Sequence, residues 1–126
     1  MAQDSILILD LGGGENERVA KAVRNLGVLC EIKPHGISRG EVKAMPGVRG
    51  IIVGGIKHMP VGGKRVDIEP WLIALGLPML FLDHPVDLLE VGDPALVTEA
   101  SMPDEDDTLR ALLRLFVLGD CEVKAI

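Results

Sequence analysis

Three histidines punctuate the 126-residue chain, and each falls just after a short apolar run: His35, His58 and His84. Asp10 and Asp83 stand at the same kind of junction. Imidazole and carboxylate together suit metal ligation or general acid–base work. The spacing supports neither directly. There is no HxH or HExxH, and neighbours such as Asp83 and His84 point to opposite faces of an extended chain unless a turn unites them. No Ser or Cys stands beside that pair to act as a nucleophile. The expectation is therefore no metal and no cofactor. Loop histidines without ligand spacing are ordinarily solvated side chains. The alternative is an enzyme whose acid–base chemistry runs on Asp83 and His84, with His58 at the same edge.

Gly12-Gly13-Gly14 forms a second cluster, between an apolar run and a helical segment. Backbone amides at such a turn can hold an anion. The run matches neither GxGxxG nor GxxxxGKS/T, so its simplest reading is a tight strand-to-helix turn. The acids Asp104 to Asp107 read as the solvated start of a helix rather than as a cation site. Cys30 sits inside an apolar run and reads as a small core residue, while Cys121 follows the last helical pattern.

The elements that must position these residues alternate in type. Apolar runs bounded by Gly, Pro or Asp lie at 6–9, 28–32, 50–53 and 79–82, with a weaker fifth at 95–98. Short, continuously apolar runs suit strands covered on both faces, as in parallel sheets. Between them, residues 15–26 put Val19, Val23 and Leu26 on one helical face, with Gly27 as the stop. Ser38 and Glu41 have capping-box spacing, with Val42 and Met45 inward. Asp67 is placed to cap a helix carrying Trp71, Leu72 and Leu75, closed by Gly76. The last helix carries Leu109, Leu112, Leu113, Phe116 and Val117 at helical spacing, approached through Ser101, Pro103 and the acid run. Strand alternating with helix predicts one α/β domain over 1–126: a flavodoxin-like open parallel sheet of about five strands with helices on both faces. Ligands of such sheets bind beyond the carboxyl ends of the strands, where the histidines and aspartates fall.

Composition removes other classes. Thirteen Lys and Arg against nineteen Asp and Glu leave a net charge of −6, which argues against phosphate-rich nucleic acid. Aromatics are only 2% of the chain, so stacking platforms for single strands are missing too. Apolar runs fall far short of the ~20 residues that span a bilayer. Two cysteines without a CxxC pair and no visible leader point to a cytoplasmic location.

The opening stretch, ILILDLGGGENERVAKAVRNLGVLCEIKPHGIS, resembles the class I glutamine amidotransferases, particularly the glutaminase domain of GMP synthases. In that family a strand reading ILILDFG leads to a helix ending RELGVYCEI. The stretch GVRGIIVGGIKHMP resembles the family's GIILSGGP, and RVDIEPWLIALGLPMLFLD resembles RVDPEIFELGVPVLGIC. These matches are collinear over roughly residues 5 to 83, and TLRALLRLFVLGDCEVK resembles the family's closing helix and tail.

The resemblance implies the fold but not the activity. The family's triad is a cysteine on a sharp turn, a histidine base and a glutamate that orients it. Alignment puts Asp83 at the cysteine, His84 after it and Pro85 at the glycine of the turn. The stretch comparable to the family's HPE segment, residues 92–97, has no histidine. Gly54 and Gly55 retain the oxyanion-turn position. The expectation is thus a shortened amidotransferase-like domain without glutamine hydrolysis. Its ligand-binding candidates are Gly54, Gly55, His58, Asp83, His84 and Gly12 to Gly14. The partners implied are a synthase-like protein, a second copy of the chain, or a small molecule at the strand ends.

Overall fold

The computed structural model describes residues 4–10, 16–34, 37–45, 47–54, 75–82 and 97–123. Within them the apolar runs are strands: β1 (Ser5–Asp10), β2 (Leu29–Pro34), β3 (Val48–Gly54), β4 (Met79–Leu82) and β5 (Val97–Ala100). The helices are α1 (Asn16–Asn25), α2 (Arg39–Ala44) and α3 (Asp106–Arg114), the last continuing as a π-helical turn over Leu115–Asp120. All strands pair in parallel, in the order β2-β1-β3-β4-β5. This is an open α/β sheet of flavodoxin-like order.

Alternation along each strand splits the core in two, because successive side chains leave opposite faces. Ile6, Ile8, Cys30, Ile52, Leu80 and Leu82 join α1 and α3 on one side. Leu7, Leu9, Ile51, Val53, Met79 and Phe81 join Ile37 and Val42 of the α2 region on the other. Residues 6–9 and 51–53 are fully buried, which explains why their sequence is continuously apolar rather than alternating.

Local signals act as expected at several joints. Gly27 stops α1 at φ 79°, donating to the Arg24 carbonyl at 2.9 Å. The Ser38 hydroxyl accepts from the Glu41 amide at 3.2 Å, capping α2. Val19, Val23, Leu109, Leu113, Phe116 and Val117 are buried as their spacing predicts.

Two boundaries differ. The fifth strand lies at Val97–Ala100 rather than 95–98, because its register with β4 places Val97 opposite Met79. The acid-rich approach to α3 also reads differently. Glu105 is the N-cap and makes no side-chain capping bond, so Ser101 and Pro103 stand before the helix instead of opening it. The helix assigned around Trp71 lies outside the described residues.

One glycine in β3 is dictated by packing. A Cβ at Gly50 would lie 2.3 Å from the Cys121 sulfur and 3.4 Å from both Ile6 Cδ1 and the Pro78 carbonyl. The final segment thus seats its cysteine directly on the backbone of the sheet. The Cys121 amide donates to the Phe116 carbonyl at 2.9 Å and the Val123 amide to the Val117 carbonyl at 3.0 Å, fixing that seat.

Candidate functional site

Register decides what meets at the carboxyl edge. Asp10, the last residue of β1, is paired with Pro34 of β2 and Gly54 of β3. Gly54 is paired in turn with Leu82 of β4, and Leu82 with Ala100 of β5. The order reverses direction between β1 and β3, which makes the Asp10–Gly54 position the topological switch point of the sheet. Parallel sheets open a crevice there, since the connections leave toward opposite faces.

Asp10 is half-buried at this point, and its carboxylate accepts a hydrogen bond of 2.9 Å from the Asn16 side-chain amide. Asn16 is the first residue of α1 and only 6% exposed. The pair ties the end of β1 to the start of α1, across the segment that holds Gly12 to Gly14. Asn16 escaped the sequence reading. A polar residue at a helix start is ordinary, and only its burial against Asp10 gives it meaning.

The expected site residues divide. Gly54 is described, at the switch point and beside Leu82, the residue preceding Asp83 in the chain. Gly12, Gly13, Gly14, Gly55, His58, Asp83 and His84 lie outside the described residues, as does His35.

The acid run is exposed, as a solvated helix start should be, yet it does more than solvate. Arg18 of α1 donates from Nε and Nη2 to one Asp106 carboxylate oxygen, at 3.1 and 3.0 Å. Nη2 also donates to the carbonyls of Pro103 and Asp104, each at 3.1 Å. One guanidinium thus staples the β5–α3 connection to α1. No local pattern announces a pair 88 positions apart in sequence.

Both cysteines are free and buried. The Cys30 thiol lies 3.5 Å from the Ala20 carbonyl, to which it donates, and burial raises its pKa above the usual thiol value. Burial pushes Cys121 up to about 12, with the Asp120 carboxylate adding to the rise and Arg49 opposing it. Neither is poised as a thiolate nucleophile. Among the described residues no helix is long and apolar enough to cross a membrane.

This frame can be set beside known proteins. No family model matches the chain. Over 125 residues, 99% of its length, it is 37% identical to the "Putative GMP synthase [glutamine-hydrolyzing] 2" of Bacteroides thetaiotaomicron. The chain is homologous to a segment of glutamine-hydrolyzing GMP synthases. It is 34% identical over 86 residues to the "GMP synthase [glutamine-hydrolyzing]" of Streptococcus pneumoniae, a match covering 68% of this chain. The aligned stretches span 27% of the Bacteroides protein and 16% of the Streptococcus one, so the chain corresponds to a minor part of each. With the collinear motifs and the parallel sheet, these matches make the chain glutamine amidotransferase-like.

Proposed function

We propose that this chain is a glutamine amidotransferase-like binding module that does not hydrolyse glutamine. One observation carries the reading. Gly54, at the oxyanion-turn position, is in register with Leu82, and the next residue of the chain is Asp83 where the family has its cysteine. Thiolate attack on the glutamine amide yields a thioester and releases ammonia. A carboxylate could attack only to form a mixed anhydride, a far less favourable acyl intermediate. Loss of a triad typically costs orders of magnitude in rate.

What remains is a fold with a ligand crevice at the switch point and Asp10 at its rim. The module takes a small molecule there or docks against a synthase-like protein, as the relatives' GMP synthase names suggest. The buried thiols suit a reducing, cytoplasmic setting.

The test is direct. Purified protein should release no ammonia from glutamine above the blank, and Asp83→Ala should leave that baseline unchanged. Sustained turnover by the unmodified protein would sink the reading. A thermal-shift series with glutamine and nucleotides then reports binding, because a ligand at a hundredfold excess over its Kd adds ~2.7 kcal/mol of stability.

A further inference from the structure

The outer side of the α1–α3 layer carries a cleft of about 320 Å³, within the range of small-molecule sites. Its floor is apolar, being Ala22 and Leu109, both buried in the core. Its rim is not. Arg18, Lys21 and Asn25 line it from α1, and Arg110 and Asp106 from α3. Every polar side chain of the rim except Asp106 carries hydrogen-bond donors. Three cations against one carboxylate make this a local reversal of a chain whose net charge is −6.

These groups differ in how far they are already committed. Asp106 is engaged by Arg18, whose guanidinium is also held by two backbone carbonyls. Arg18 is thereby fixed at one end of the cleft. Arg110 pairs with Asp107, but that carboxylate is 86% exposed and lies one turn away on the same helix. Exposed pairs of this kind contribute little, so a ligand can displace one at small cost. The Lys21 ammonium has no ion-pair or hydrogen-bond partner among the described residues. Its neighbour on the rim, Asn25, offers a neutral amide.

We propose that the α1–α3 cleft binds a small oxyanion-bearing molecule, a carboxylate or phosphate, gripped between Lys21 and Arg110 over the Ala22–Leu109 floor. None of its lining residues is a strand-end residue, so the proposal stands apart from the crevice at Gly54. Lys21 and Arg110 are exposed, so binding should weaken as salt screens their attraction for the anion.

The experiment is titration of the full chain with inorganic phosphate and, separately, with succinate, in a non-coordinating buffer at low salt, followed by amide chemical shifts and melting temperature. Saturable shifts confined to α1 and the first turns of α3 are expected with at least one probe, and the responsive probe identifies the anion class. The Lys21→Ala/Arg110→Ala double variant should bind about tenfold or more weakly, since it removes two charge-assisted donors. Both residues are partly exposed, so the variant should keep its fold, as circular dichroism will report. Asp83→Ala should bind as the unmodified protein does. No saturable response to either probe overturns the proposal. So does equal binding by the double variant, or loss of binding in Asp83→Ala.

Discussion

Strand β3 carries a glycine near each end of its buried run, and the two obey different rules. Gly50 is a packing requirement: the Cys121 sulfur occupies the space where its Cβ would be. Gly54 is a place in the topology: it meets Asp10 where the sheet changes direction, beside the strand that leads to Asp83. At the first, the backbone is sealed by the chain's last described segment. At the second, strands end and polar groups gather. The contrast teaches that one end of this sheet is sealed by close packing, while the other ends in polar groups at the switch point.

The sealed region should respond most to substitution. Leu113→Ala removes a fully buried side chain between α3 and the sheet, and a loss of ~2–5 kcal/mol is expected in urea unfolding. Gly50→Ala follows, at about 1–3 kcal/mol, because the new methyl and the Cys121 sulfur cannot share the site. Adding Cys121→Ala to that variant should restore much of the loss. If the double variant is no better than Gly50→Ala alone, Cys121 is not what makes this glycine necessary.

A pH titration sharpens the same point. The Cys121 thiol has its pKa raised from 9.0 to about 12 in the folded chain, so the unfolded chain gives up this proton first as pH rises. Stability from this group is complete below pH 9 and declines as pH climbs from 9 toward 12. Cys121→Ala should flatten that limb of the stability–pH curve. An unchanged slope would assign the decline to other groups, of which Cys30, also raised, is the first to examine.

The polar region should be softer. Arg18→Ala removes the staple on the β5–α3 connection and should cost ~1 kcal/mol, since one partner is largely exposed and the others are backbone carbonyls. Its signature is faster amide exchange over residues 101–106 with the strands unaffected. Asn16→Ala should cost about 1 kcal/mol or less and act at the Asp10 turn alone. If either variant destabilised the chain as much as Leu113→Ala, the division between a sealed end and a soft end would fail.

Much of the frame was legible in the residues. The runs at 6–9, 50–53 and 79–82 fell on their strands because burial on both faces leaves an unbroken hydrophobic signature, while the run at 28–32 fell on the edge strand β2, whose residues are alternately exposed. Val97–Ala100 was misplaced by two positions because Thr98 and Glu99 dilute that signature, and pairing with β4 sets the bounds. The α3 face was legible from its period, whereas the helix start was not, since Ser101, Pro103 and four successive acids all resemble openings. Of the candidate site, the sequence named Gly54 and the strand-end aspartate Asp10. It could not name Asn16 or Arg18, whose roles arise only from what folding brings beside them.

The sequence by itself determined the type of each described element and the continuous burial of the strands β1 and β3. These are local properties, written in periodicity and residue type. The tertiary structure alone decided the strand order, and hence that Asp10 and Gly54 share the switch point. It also decided that Cys121 sits on Gly50 and that Arg18 reaches Asp106. The reason is physical: contacts between distant segments depend on register and crossover direction, which only the packed chain fixes.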